Sequence, residues 1–238
     1  MLLIMRTSRT YLAVCLLLAS CAHVHPVIQE SSEVSSAETP AFESDGEGAA
    51  LQASIVPSAY TGSSLAERAL PTGFLEVGDR DAPHTMLLIT NHQCGYCADF
   101  SVEHIPVLVE RYIRPGILRL SVAILPLKKY PGSAEGVVGL LCAAAQGKGW
   151  PMHTLLSEGT RIDRELLLKR ARTLQIDETA FATCLEDEAS HGMLQSQHAW
   201  IRSLGVEEVP TYFIDGVRYT GLPYAADLEA QLSEILQK

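Results

Sequence analysis

Cys94 and Cys97 are separated by Gly95 and Tyr96 in the run Asn91-His92-Gln93-Cys94-Gly95-Tyr96-Cys97. Two thiols at this spacing can clamp a metal, staple the chain, or carry a disulfide that is made and broken in turn. Residues three apart on a first helical turn have Cα atoms roughly 5 to 6 Å apart, inside the span a disulfide demands. The flanking sequence predicts that setting. Thr85 to Thr90, TMLLIT, is an apolar run of strand type that leads into the pair. Beyond Cys97, apolar residues recur at helical spacing (Phe100, Ile105, Val107, Leu108, Val109, Ile113) until Pro115-Gly116 stops them. Cys94 would then lie beside unpaired backbone N–H groups and the positive end of a helix dipole, where an anion is favoured. This makes Cys94 the expected nucleophile and Cys97 the expected resolving thiol.

Metal and haem readings fit poorly. Structural zinc takes four ligands, usually as two close pairs. The chain has no second Cys-x-x-Cys, and His92, His153, His191 and His198 show no matching pair spacing. Ala98 follows Cys97, where c-type haem attachment needs histidine. No metal and no cofactor is expected. A permanently closed staple stays open as an alternative, although a helix start raises thiol reactivity.

The elements that must hold the pair follow the same periodicities. Residues 117–127, ILRLSVAILPL, form a second apolar strand, so strand, helix and strand make a βαβ unit with a parallel pair. Residues 133–204 are expected to be helical, with breaks at Gly147-Gly149-Pro151 and Gly159 and a cap at Asp163 or Asp177. TYFIDGVRYTG, 211–221, carries two short strands around the turn dipeptide Asp215-Gly216. A closing amphipathic helix aligns Leu228, Leu232 and Leu236. The expected class is α/β: a thioredoxin-like fold, βαβ then ββα, with a helical insertion between its halves at about 133–204.

The chain has 238 residues, 47% hydrophobic and 19% charged, ordinary for a globular protein. Its formal charge of −10 argues against nucleic acid as a partner. Arg6 and Arg9 precede the apolar run Tyr11 to Ala19, which has the length of a secretory h-region and is too short for a bilayer span. It ends in Leu18-Ala19-Ser20-Cys21, which resembles the lipobox of bacterial lipoproteins. That resemblance implies a lipoprotein signal peptide at 1–20, lipidation of Cys21 and a lipid anchor to the membrane. The other reading is ordinary cleavage near Ser20-Cys21-Ala22. Ala22 is not an acid that would retain a lipoprotein at the inner membrane, so the outer membrane is the expected destination. Residues 21–70, rich in Ser, Ala, Gly and acidic side chains, are expected to form a tether; about 45 flexible residues span roughly 35 to 40 Å. The folded domain is expected at 71–238, as a monomer.

GDRDAPHTMLLITNHQCGYCADF, LLCAAAQGKGWPMHTLLSEG and LGVEEVPTYFIDG, in this order and spacing, resemble the DsbA-like branch of the thioredoxin superfamily of bacterial extracytoplasmic proteins. The resemblance covers about residues 72 to 237. It implies thiol–disulfide exchange with cysteine-containing exported proteins in the periplasm, and a membrane redox partner for recycling. It also implies a cis Val209–Pro210 bond beside the cysteines, where an extended substrate could pair with exposed backbone. Gly95, Tyr96, Val209 and Pro210 become the expected substrate-binding residues.

The direction of exchange stays open. Gly95-Tyr96 lacks the Pro-His of the best-known oxidases and matches the DsbC-type isomerases, whereas Val209 matches the oxidases. Leu88 stands where many relatives carry a buried acid, so the proton acceptor for Cys97 is unidentified; His92 is a candidate, or merely a solvated loop histidine. Even parity in an exported domain favours pairing of Cys142 with Cys184 as a structural disulfide. A second redox pair or two buried thiols are the alternatives.

Overall fold

The computed structural model describes residues 65–236. The expected signal peptide, Cys21 and the tether as far as residue 64 lie outside the described residues. A six-stranded mixed sheet runs in the order β1-β2-β4-β3-β5-β6, built from β1 (Glu67–Ala69), β2 (Leu75–Val77), β3 (His84–Thr90), β4 (Leu118–Ile124), β5 (Thr211–Ile214) and β6 (Val217–Thr220). Its centre is the expected parallel pair of β3 and β4, with Met86 opposite Leu120, Leu88 opposite Val122 and Thr90 opposite Ile124. Helices cover these strands, which explains why they read as nearly continuous apolar runs. Leu88, Ile89, Leu118 and Leu120 are fully buried. The thioredoxin-like α/β architecture with helices between its halves is thereby observed.

The helix expected from Cys97 to Ile113 is divided. It comprises α1 (Gly95–Glu103), α2 (Ile105–Leu108) and a π-helical turn at Val109–Ile113. Pro106 sits in the first turn of α2, and a proline inside a helix removes one N–H and clashes with the preceding turn. The segments still bury one face, through Phe100, Ile105, Leu108, Val109 and Ile113. Phe100 packs against Tyr212 of β5 with ring centroids 5.6 Å apart, tying α1 to the strand that follows Pro210.

The insertion contains α3 (Ser133–Ala144), α4 (Gly149–Leu156), α5 (Arg164–Thr173), α6 (Glu178–Glu186) and α7 (Glu188–Ser203). Asp163 and Asp177 both act as N-caps, accepting from the N–H of Leu166 and of Ala180 at 2.9 Å. Gln197 of α7 ties the insertion to the sheet: it accepts from Ile124 N and donates to the Gly73 carbonyl, each at 2.6 Å. The hairpin turns at Asp215 and Gly216, both at positive φ, 45° and 85°. The closing helix is α8 (Ala225–Leu236).

β1 and β2 were not foreseen, and β1 lies ahead of the expected domain start at 71. The Glu67 carboxylate of β1 accepts the N–H groups of Gly149 at 2.7 Å and Trp150 at 3.0 Å. An anion thus caps the start of α4, where the helix dipole favours one. A residue counted with the tether is structural because of a partner 82 positions away.

Cys142 of α3 and Cys184 of α6 are joined in a disulfide across a sequence separation of 42. The Ser190 hydroxyl lies 3.3 Å from Cys184 Sγ. Cross-linking a loop of this length removes chain entropy from the unfolded state. The double variant C142A/C184A is expected to lose about 3 to 4 kcal/mol of unfolding free energy, measured by guanidinium titration.

Candidate active site

Cys94 occupies the N-cap of α1 in extended conformation, φ −91° and ψ 123°. β3 ends four residues earlier, and the short bridge is fastened by Asn91. The Asn91 side-chain oxygen accepts the Gln93 N–H at 2.9 Å, and its carbonyl accepts the Cys94 N–H at 3.1 Å. Its side-chain amide donates to the Leu125 carbonyl at 2.8 Å and to Ser133 Oγ at 2.5 Å. One buried amide therefore joins the cysteine loop, the end of β4 and the start of α3. Gly132 makes the last junction possible: at φ 85°, a Cβ there would meet the Ile162 carbonyl oxygen at 1.9 Å. Only glycine fits.

Both thiols are free and buried. Tyr96 between them is 68% exposed and Gly95 is also exposed, so the dipeptide presents a surface while the sulfurs sit beneath it. Cys97 is held as a thiol. Burial pushes its pKa upward, and neighbouring Cys94 adds to the rise, while hydrogen bonds from the Thr90 hydroxyl and the Asn91 N–H oppose it. These two donors are placed to receive negative charge if Cys97 becomes a leaving thiolate.

The Val209–Pro210 peptide is cis, and the Val209 carbonyl oxygen lies 3.8 Å from Cys94 Sγ. Thr211 Oγ1 donates to the Glu208 carbonyl at 2.7 Å, and the Pro210 carbonyl accepts from Gly221 N at 2.8 Å. Pairing of β3 with β5 begins at Ile89 and Thr211, so Val209 lies beyond the ladder, facing the cysteine. The fold thus gathers Cys94, Cys97, Tyr96, Val209 and Pro210 at one end of the sheet. A groove of about 850 Å³ opens there, with Tyr96, Val209 and Pro210 on its wall beside Leu222 and Tyr224. His104 donates from Nε2 to the Pro223 carbonyl at 3.0 Å, fixing one rim to the α1–α2 junction.

His92 is neither solvated nor among the groups acting on the Cys97 thiol. It is buried, with Nε2 3.0 Å from His153 Nδ1 in α4. Desolvation lowers the pKa of both rings, to about 4 for His153, and His153 adds to the lowering at His92. Chain spacing could not show this pair, because 61 positions separate its members. His153, Asn91 and Thr90 are the site residues that sequence reasoning missed. Asn91 did carry one local signal, since Asn two residues before a backbone N–H forms an Asx turn.

A dithiol opening the helix behind a central parallel strand, faced by a cis-proline loop, defines a thioredoxin-like α/β protein of the kind with helices inserted between its halves. The chain belongs to the thioredoxin family: a family model described as Thioredoxin matches residues 71–234. Its fold is that of DsbA-like thiol–disulfide oxidoreductases. It resembles BdbD from Bacillus subtilis in its oxidised form, at TM-score 0.64 and 16% identity over 73% of this chain and 98% of that one. It also resembles alpha-DsbA1 of Wolbachia pipientis, at TM-score 0.62 and 19% identity over 68% and 90%. DsbA of Chlamydia trachomatis matches at TM-score 0.59 and 18% identity over 68% and 91%. A curated sequence relative, Na(+)/H(+) antiporter NhaA 3 of Salinispora tropica, is 28% identical over 62% of this chain, which spans only 22% of that protein.

The histidine pair generates a pH dependence. Unfolded histidines take up protons near pH 6.5, whereas both folded rings resist protonation. Stability from the pair is complete above about pH 6.5 and is lost as pH falls through the folded values. Unfolding free energies from urea titration are expected to drop between pH 6.5 and 4.5, by up to about 1.4 kcal/mol per pH unit for each ring. The drop should flatten in H92L/H153L, which removes both partners together.

Proposed function

We propose that the protein is an extracytoplasmic thiol–disulfide oxidoreductase that exchanges disulfides with exported proteins through Cys94 and Cys97, and that it donates them. The observation that carries this reading is Cys94 at the N-cap of α1, one helical turn from a buried Cys97 and within 3.8 Å of the Val209 carbonyl. In the oxidised enzyme, a substrate thiolate attacks Cys94 Sγ. A mixed disulfide forms, the Cys94–Cys97 bond breaks, and Cys97 leaves as a thiolate. The raised Cys97 pKa then favours its protonation. A second substrate thiolate attacks the substrate sulfur of the mixed disulfide and releases Cys94. Two electrons have passed from the substrate to the enzyme, and a membrane redox partner would remove them. In this reading Gly95, Tyr96, Val209 and Pro210 hold the substrate backbone, and the Cys142–Cys184 bond is structural.

Export is supported by the N-terminal apolar run with its lipobox-like end at Cys21 and by a disulfide within the fold, since such bonds persist in oxidising compartments. The proposed location is the periplasm, with a lipid anchor on Cys21 to the outer membrane.

An isomerase or reductase is the second reading. It is favoured by the uncharged Gly95-Tyr96 dipeptide, which leaves no cation between the thiols. The reduction potential of the pair separates the two. A value near about −120 mV is expected for a donor, and one near about −270 mV would overturn donation in favour of reduction. The variant C97A is expected to trap mixed disulfides between Cys94 and exported proteins, visible on non-reducing gels. If no trapped species forms, the groove belongs to a binding module rather than an enzyme.

A further inference from the structure

The groove beside the dithiol carries more than a general affinity for polypeptide. Three carboxylates line it, from Glu103 at the end of α1 and from Glu207 and Glu208 just before the cis-proline loop. None of the three has an ion-pair partner among the described residues. Among the described residues the one cation on the wall is Lys129, which lies over the Tyr130 ring at 4.9 Å from its centroid. Two tyrosines flank the same groove with open faces, Tyr96 at 68% exposure and Tyr224 at 83%. Carboxylates and aromatic faces have one preference in common: both attract ammonium and guanidinium groups. The floor from Val209 to Pro210 is apolar and adjoins Cys94 Sγ, so a cation held on the rim belongs to residues near the substrate cysteine.

Resting on the reading that Cys94 exchanges disulfides, we infer that the groove selects extended segments whose cysteine is flanked by Lys or Arg. Selection acts mainly on encounter, because exposed charges steer association more than they add contact energy. It is therefore screened by salt.

The test uses the full-length chain carrying C15S/C21S/C97A, in which Cys94 is the one free thiol, and short peptides whose single cysteine bears thionitrobenzoate. The Cys94 thiolate attacks the peptide sulfur, one S–S bond forms as another breaks, and thionitrobenzoate leaves as a coloured thiolate with no net oxidation. Lys-flanked peptides are expected to react about tenfold faster than Glu-flanked ones at low ionic strength, with the difference collapsing in 0.5 M salt. The ratio should fall toward unity in E207Q/E208Q and persist in E165Q/E188Q, which removes the same charge from exposed sites on α5 and α7. Equal rates for both peptides would overturn the inference while leaving exchange at Cys94 intact. So would a preference that both double variants reduce alike, because the chain's overall −10 charge would then be its source. Release no faster than with a free thiol would instead overturn the proposed function itself.

Discussion

Everything at this site depends on one short bridge of backbone being held still by Asn91. A disulfide tolerates little variation in the distance between its Cα atoms, yet the cysteines follow directly from a strand end and must open a helix. Asn91 resolves this with a buried amide that bonds the loop, β4 and α3 together. Neither of the groups it reaches at a distance, Leu125 and Ser133, is near it in sequence. An apolar residue here would leave the Leu125 carbonyl buried without its donor, at a cost of about 1 to 3 kcal/mol. The insertion is thus coupled to the chemistry as well as packed beside it.

The histidine pair adds a second coupling between the same parts. His92 belongs to the cysteine loop and His153 to α4, and both are excluded from water. A neutral imidazole can donate through one nitrogen and accept through the other, so the pair satisfies itself once at the contact between loop and insertion. It gives the junction directionality that apolar packing lacks, and it ties that junction to pH.

What the sequence made legible was whatever depends on near neighbours. The strand before Cys94, the turn at Asp215-Gly216, the caps at Asp163 and Asp177 and the helical block all follow from periodicity or local side-chain chemistry. Local reading ran out where partners are remote. Glu67 looks like one more acid in a polar stretch until it meets α4, and His92 looks solvated until α4 covers it. The divided helix is an intermediate case. Pro106 was plain to see, but the apolar spacing carried on across it, because the turns on either side bury the same face. The dithiol itself was read from a resemblance and a spacing together. Asn91, its nearest structural support, showed only its Asx turn locally, and its bonds to Leu125 and Ser133 were visible only once the chain had folded.

The position of β1 has a mechanical consequence. The chain enters the described fold at an edge strand, and β1 is separated from β5 by β2, β4 and β3. Tension arriving from the N-terminal side would act first on a three-residue strand, which could peel from β2 one rung at a time. Glu67 changes that route. Its carboxylate holds two N–H groups of α4, so force would also pass into the helix that carries His153, and through His92 to the loop before Cys94. The edge strand where such tension would enter and the loop before the sulfurs are joined by a chain of three side chains.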